Sequence, residues 1–214
     1  MRSDVLLVAS GDRLPRIECS GGIQARYTEP RTVHLVSAAA TPLGGDTIDI
    51  RVIVDGGATL KVRSAAATLV LPGADSPTSH ARWHVEVNGE LDVDLEPTIV
   101  AAAARHQSTV TVLLHDNARI RFRERVQIGR CDEREGFWSG SLRVDHVDRP
   151  LLRHRLELGA GSLFDDAIAA PRATVSELRY PTTDFGPQMP DGSTVLALAG
   201  GGTLSTWQAD RLVG

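Results

Sequence analysis

The sequence is poor in aromatic residues, in lysine and in cysteine, and each shortage excludes a class of protein. Aromatic side chains are only 4% of its 214 residues, so the core must be aliphatic and a groove that stacks sugar rings is not expected. Lys61 is the only lysine and the formal net charge is -4, so there is no basic excess to bind nucleic acid or an acidic membrane. Cys19 and Cys131 are too few for a disulfide framework, and we expect both to be reduced.

The sequence also lacks long apolar runs. None approaches the roughly 18 residues that a transmembrane helix needs, and the first residues lack the apolar region of a signal peptide. We therefore expect a cytoplasmic protein. With 214 residues and no sharp shift in composition, the chain is predicted to form a single domain over residues 1–214.

Alternation of apolar and polar residues dominates from the N-terminus to about residue 158. Its best example is DTIDIRVIVD at 46–55, which has four β-branched residues on one face. About a dozen such segments follow one another, which predicts an all-β fold of the sandwich, barrel or solenoid kind. The turns Asp55-Gly56-Gly57 and Asn88-Gly89 predict tight β-hairpins.

The last third of the sequence has a different pattern. Residues 162–170 combine a capping serine with acids in the first turn, which predicts a short helix. Residues 180–192 hold three prolines and two glycines and are predicted to form an irregular loop. A final strand is expected in STVLALAGG at 193–201, followed by a short helix or a tail at 206–214.

No established catalytic motif is present, but two patterns of polar residues stand out. His80 and His84 share one face of a strand, which suits either the start of a metal site or a solvated surface. A second strand carries arginines on one face, which suits either a stripe that binds carboxylates or phosphates or a set of salt bridges to neighbouring acidic strands. These arginines are Arg119, Arg121, Arg123 and Arg125.

Two loops also contain candidate functional residues. Gly44 and Gly45 precede Asp46 at the start of a long strand, where they indicate a need for backbone freedom or close approach. The loop at 129–140 is rich in charge. By residue type it fits either a divalent-metal site or a solvated loop. Its candidate ligands are Cys131, Asp132, Glu133 and Glu135.

The order of these segments resembles the urease accessory proteins of the UreD family, also called UreH. LGGD at 43–46 precedes the long alternating strand, and AAAT follows at 65–68. LEPTI at 95–99 resembles the family's Pro-Gln/Glu-x-Thr-Ile segment, and 129–140 resembles its Gly-Arg…Glu-x-Phe-x-x-Gly segment. RPLL at 149–152 resembles a later strand that opens with Pro-Leu. Together these matches cover roughly residues 20–160.

The resemblance implies a fold and a function. The fold is an all-β superhelix, or solenoid, of mostly antiparallel sheets with one or two short helices in the C-terminal third. The function is that of a scaffold and not of an enzyme. Such a scaffold binds a UreF-type helical accessory protein, which docks a UreG-type GTPase, and the higher-order complex acts on the urease apoprotein. Nickel is in transit, the partner GTPase uses the GTP, and this chain holds no tightly bound cofactor.

The acids of the family-like segments are the candidates for a nickel path. Asp46, Glu96 and Glu135 offer weak oxygen ligands that suit transient stops, and Gly44 and Gly45 would form a flexible turn beside the path. No tight metal site is predicted. Each acid equally fits a structural role as a hydrogen-bonding group at a turn.

Two other classes of function stay open at this point. One is a β-rich hydrolase in which Glu96 and Glu135 form a carboxylate pair. The other is a β-module that binds a ligand and has no role in metal delivery.

Overall fold

The computed structural model describes residues 1–163, 165, 170–182 and 188–212, and these ranges contain seventeen strands and no helix. The strands are β1 (Arg2–Ala9), β2 (Arg16–Ser20), β3 (Ile23–Glu29), β4 (Thr32–Ser37), β5 (Thr47–Val54), β6 (Thr59–Ser64), β7 (Thr68–Val70), β8 (Thr78–Val87), β9 (Glu90–Asp94), β10 (Thr98–Val100), β11 (Arg105–Leu114), β12 (Arg119–Ile128), β13 (Phe137–His146), β14 (Arg149–Gly159), β15 (Ala173–Tyr180), β16 (Thr194–Ala197) and β17 (Thr203–Ala209).

The strands form two main sheets, called sheet A and sheet B here, and the core lies between them. Sheet A has the order β14-β13-β11-β8-β5-β1-β2, and sheet B has the order β16-β17-β15-β12-β9-β6-β4-β3. The chain alternates between them, because β5, β8 and β11 of sheet A lead directly into β6, β9 and β12 of sheet B. The result is a β-solenoid of about 4 turns, which confirms the predicted superhelix.

The direction of the strands differs from the prediction. Within the solenoid the neighbouring strands run parallel, as between β5 and β8 or between β9 and β12. The expected antiparallel pairing occurs only towards the ends, for example between β13 and β14 and between β12 and β15. Each solenoid turn repeats the direction of the previous one, so strands stacked within one sheet have to be parallel.

The two hairpins predicted at 55–57 and 88–89 are also wrong. Both turns are tight, but each carries the chain from one sheet to the other, so the strands on either side face each other through their side chains. Alternation indicates only that one face of a strand is buried. A hairpin and a turn between two packed sheets both produce it.

Successive turns stack on each other with little room. The backbone amide of Glu90 donates to the carbonyl of Ala58 at 2.8 Å, and that of Arg119 donates to the carbonyl of Gly89 at 2.8 Å. A Cβ atom at Gly89 would lie 2.2 Å from the carbonyl oxygen of Ala58 and 2.6 Å from that of Asp55. The previous turn occupies the space that a side chain at position 89 would need, which explains why this residue is glycine.

The core is aliphatic, as the scarcity of aromatic residues predicted. Residues such as Leu7, Val52 and Leu60 are fully buried between the sheets. Two of the few aromatic side chains join the sheets directly, since Trp83 of sheet A and Phe122 of sheet B pack edge to face with ring centroids 5.7 Å apart.

The C-terminal third adds strands to sheet B. The short helix predicted at 162–170 falls mostly on residues outside the described ranges. The strand expected at 193–201 is confirmed as β16, but it is not the final one, because β17 follows it. The helix or tail predicted at 206–214 is wrong over 206–209, because β17 pairs with β15 on one side and with β16 on the other. Nowhere in the described ranges does a helix reach the length and hydropathy needed to cross a membrane.

The stacked turns give the first prediction. Gly89→Ala is expected to lower the free energy of unfolding by about 3 kcal/mol, because the new methyl group meets two backbone oxygens that cannot move independently. Gly56→Ala is the matched control, since its Cβ would meet only the end of the Asn88 side chain at 3.2 Å, and a change below about 1 kcal/mol is expected. Urea denaturation measures both. Equal losses would mean that the contact between turns does not limit this position.

Candidate functional site: a polar cavity between the sheets

A cavity of about 250 Å³ lies between sheets A and B. Exposed residues of the segment 65–68, which follows β6, contribute to its rim together with the exposed Glu96. Its inner wall is largely apolar and includes Trp83 and Phe122. Three inward-facing polar side chains interrupt this wall, and they are His106 and Ser108 from β11 and Glu124 from β12.

Glu124 is the most unusual of the three, because it is a carboxyl group on the inner face of a strand. The Ser108 hydroxyl donates to Glu124 Oε1 at 2.7 Å, which links the two sheets. The side chain keeps some accessible surface because it borders the cavity, but protein surrounds it. Burial therefore raises the pKa of Glu124, and the hydrogen bond from Ser108 opposes that rise only in part.

His106 occupies the same region and is buried. Its Nδ1 atom lies 2.9 Å from the Ser79 hydroxyl. Burial lowers the pKa of His106 to about 4, and the nearby His80 adds to this shift. The imidazole is therefore neutral near pH 7. The cavity wall thus presents a carboxyl group, a hydroxyl group and a neutral imidazole, and Arg123 and Arg125 also border the cavity.

Sequence reasoning missed Glu124, although a signal was present. In RIRFRERVQI the apolar face of the strand carries Ile120, Phe122 and Val126, and Glu124 lies on that same face. His106 and Ser108 likewise continue the inner face of Val110 in β11. Polar residues on an otherwise apolar face are the pattern that points to this cavity.

Asp46 is not part of the cavity lining. Its carboxylate is buried, with Oδ1 2.5 Å from the N-terminal amine of Met1 and Oδ2 accepting from Thr41 Oγ1 at 2.8 Å and the Leu43 amide at 2.9 Å. Burial alone would raise the pKa of Asp46, but the amine and the two hydrogen bonds outweigh it and the net shift is downward. In this position Asp46 holds the start of β5 against the N-terminus.

The two glycines before Asp46 show the close approach and the backbone freedom that the sequence indicates, whereas a flexible turn beside a nickel path stays a prediction. A Cβ atom at Gly44 would lie 1.7 Å from the carbonyl oxygen of Ser76, so the backbones approach closely there. Gly45 has a φ of 90°, which favours glycine. The turn is attached to its neighbours, because Gly44 donates to the Leu71 carbonyl and Gly45 to the Thr78 carbonyl.

The other two predicted acids lie in different places. Glu96 is exposed and borders the cavity, and its backbone amide donates to Ser64 Oγ at 2.9 Å. Glu135 is exposed on the loop between β12 and β13 and does not border the cavity. The structure therefore brings one of the three acids to the cavity. Among the described residues, the cavity that Glu96 borders does not include Glu135, so it does not bring together the carboxylate pair considered for a hydrolase.

The arginine strand follows the salt-bridge interpretation. The arginines lie on the outer face of β12, and acids of β9 and β15 pair with them. Arg121 is fully buried, and its three guanidinium nitrogens contact three different carboxylates at 2.8–2.9 Å. The acids that pair with Arg119, Arg121, Arg123 and Arg125 are Glu90, Asp92, Asp94 and Glu177.

The remaining candidates are spread over the surface. His80 and His84 lie on the outer face of sheet A, and both cysteines are free thiols. In the loop at 129–136, Glu133 accepts hydrogen bonds from Arg130 and from the amide of Ala102, which lower its pKa to about 2. In the described part of the chain, no three metal-ligating side chains come together.

Comparison with known proteins identifies the family. The model of the UreD urease accessory protein family matches residues 19–182. The chain is 37% identical to a urease accessory protein UreD of Saccharopolyspora erythraea, over 86% of this chain and 74% of that protein. It is 36% identical to the UreD of Parafrankia sp., over 91% and 81%, and 33% identical to that of Frankia casuarinae, over 100% and 79%. The chain belongs to the UreD family.

Two of the five UreD-like segments of the sequence, 65–68 and 95–99, lie at the cavity. The segment 65–68 and residues Leu95, Glu96 and Thr98 all border it. These stretches are far apart in the chain and meet because they follow adjacent strands of sheet B, β6 and β9. The cavity and the resemblance to UreD proteins therefore share these two segments, whereas the other UreD-like segments lie elsewhere.

The buried charges on sheet B give the second prediction. Glu177→Gln is expected to lower the free energy of unfolding by about 3–5 kcal/mol, since it leaves Arg121 and Arg123 facing a neutral group where Glu177 Oε2 lies 2.9 and 2.7 Å from their Nε atoms. The control is Asp210→Asn, which removes an exposed pair with Arg134 and should cost less than about 1 kcal/mol. Chemical denaturation compares them. Similar small losses in both variants would show that the cluster contributes little.

The raised pKa of Glu124 gives the third prediction. The folded state binds the Glu124 proton more tightly than the unfolded state, so its stabilising contribution is complete below the unfolded pKa near 4.5 and is lost as the pH rises through the folded pKa. Glu124→Gln keeps the hydrogen-bonding shape without this titration. The variant should therefore gain stability relative to the native chain between about pH 5 and about pH 8. Denaturation curves at both pH values check this, and a constant difference would contradict it.

Proposed function

We propose that this UreD-family chain is a non-catalytic scaffold of urease maturation that passes nickel ions through the space between its sheets. Nickel is the cargo and occupies each position only briefly. A cavity whose wall carries Glu124, and whose rim comes from two UreD-like segments, is the observation that supports nickel transfer most directly.

The chemistry of the wall suits transfer and not storage. A carboxylate and a hydroxyl group are hard oxygen donors, and a neutral imidazole is a moderate ligand for Ni²⁺. Affinity rises when several such ligands surround one ion, and the binding of a cation must displace the proton from a carboxyl group with a raised pKa. Glu124, Ser108 and His106 therefore offer weak, polar contacts on a largely apolar wall.

The route that we propose enters at the rim. Glu96 is exposed there and can attract a hydrated cation, and Glu124 lies on the inner wall of the same cavity. Asp46 and Glu135 remain proposed stops outside the cavity. Asp46 would have to exchange contacts that it already makes with Met1, Thr41 and Leu43, whereas Glu135 is exposed to solvent.

The scaffold role requires partners. We propose a complex with a UreF-type helical accessory protein, through it with a UreG-type GTPase that uses the GTP, and with the urease apoprotein, all in the cytoplasm. The exposed strand β16 supports binding to other proteins. It is an outer strand of sheet B, and Val195 and Leu196 are 61% and 50% exposed. An apolar strand at the edge of a sheet favours contact with a partner.

The fourth prediction tests nickel transfer. Co-expression with urease and the accessory proteins, followed by measurement of urease activity and nickel content per assembled complex, is expected to show a several-fold loss for Glu124→Gln. Glu96→Ala should give a smaller loss, because solvent and neighbouring groups can replace a ligand at the exposed rim. Asp46→Ala and Glu135→Ala test the two outer stops in the same assay.

Asp116→Asn is the matched control, because Asp116 is an exposed acid in the turn between β11 and β12, away from the cavity. It should leave activation unchanged. Co-purification with the helical partner separates a failure of assembly from a failure of transfer. The conduit proposal is wrong if urease activation per complex is unchanged in the four single variants and in the quadruple variant. If the native chain does not co-purify with the helical partner, the scaffold proposal is wrong.

A further inference from the structure

A second, much smaller cavity lies on another side of Glu124. Its volume is about 20 Å³, and it is enclosed by residues of five strands, β11 to β15. Glu124 and Phe122 border both this cavity and the large one. The small cavity therefore continues the interior space from Glu124 towards β14, the outer strand of sheet A.

Two polar atoms at this cavity have no hydrogen-bond partner among the described residues. They are Trp138 Nε1 and His154 Nε2, and both atoms are buried. Trp138 is 2% exposed, and its ring lies against Gly140, where a Cβ atom would come within 2.1 Å of it. Folded proteins rarely leave buried polar atoms unpaired, so two at one small cavity require a common explanation.

One of the two atoms donates a hydrogen bond and the other accepts one, so a third group between them can satisfy both. An indole Nε1–H can only donate a hydrogen bond. Burial lowers the pKa of His154, so its ring is neutral near pH 7 and Nε2 accepts when Nδ1 carries the proton. A water molecule accepts from the indole and donates to the imidazole. Such a site needs roughly 10–15 Å³ and two to four polar partners, and Ser176 and Glu124 also border this cavity.

We propose that the small cavity is a binding site for one structural water molecule, bridging Trp138 Nε1, His154 Nε2 and the carboxyl group of Glu124. Ser108, which borders the large cavity, donates to one oxygen of that carboxyl group, Oε1. The water would contact the same carboxyl group from the small cavity. His154 is then a positioning residue that acts on Glu124 through the water. The water site itself does not depend on the proposed function. The role of His154 in nickel transfer rests on the proposed function.

Crystal structures of the full chain and its variants test the water site. The native chain should show a water oxygen within hydrogen-bond distance of both Trp138 Nε1 and His154 Nε2. His154→Leu removes the acceptor and should lose the water, whereas His154→Gln restores a polar atom and should keep it. If His154→Leu fails to fold, Trp138→Phe serves instead, because it removes only the donor. A native structure with no water there overturns the proposal.

The role in transfer has its own test in the co-expression assay. Urease activation per assembled complex should fall several-fold in His154→Leu and recover in His154→Gln, a rescue that a purely structural role in packing would not produce. If Glu124→Gln lowers activation and His154→Leu does not, the positioning role is wrong and the conduit stands. If neither variant lowers activation, the conduit itself is wrong, and the water site is judged from the crystal structures alone.

Discussion

The short turns between the sheets set the geometry on which the rest of the structure depends. Each turn hydrogen-bonds to the next, through Ala58 to Glu90 and through Gly89 to Arg119, so successive solenoid turns start in register. From these fixed starting points the strands extend in parallel across both sheets. Ser108 and Glu124 lie at similar distances on either side of the turn at 115–118, so they face each other across the interior. The hydrogen bond between Ser108 and Glu124 in the cavity is therefore a consequence of the turn at 115–118.

A different interaction connects the solenoid to its C-terminal strands. In sheet B, parallel stacking ends at β12, and β15 joins it in the antiparallel direction. Arg121 lies at this junction and contacts Asp92 and Asp94 of β9 on one side and Glu177 of β15 on the other. Burial alone lowers the pKa of Arg121, but the three carboxylates outweigh it and raise the pKa, so the charge is retained at the junction. Charge compensation thus accounts for an arginine strand whose sequence fitted either a ligand-binding stripe or a set of salt bridges.

The sequence was informative about local structure and much less so about pairing. Alternation located strands such as β5 and β11 and predicted an aliphatic core, because burial of one face is a local property. It could not separate hairpins from turns between sheets, since the partner of a strand is decided by contacts far along the chain. The same limit applies to the site. Glu96, which borders the cavity, was singled out through its segment, whereas Glu124 was overlooked although it lies on the apolar face of RIRFRERVQI.

The interior of this protein departs from its own pattern in one region. The inner faces of β11 and β12 are aliphatic or aromatic except at His106, Ser108 and Glu124, and all three border the same cavity. An apolar residue at position 124 would avoid the cost of burying a carboxyl group and would fill space in the core. Departures from the folding pattern that cluster at one place are typical of a functional site, whereas scattered ones indicate tolerance. The clustering is therefore the structural observation behind the proposal that this part of the solenoid handles a polar cargo.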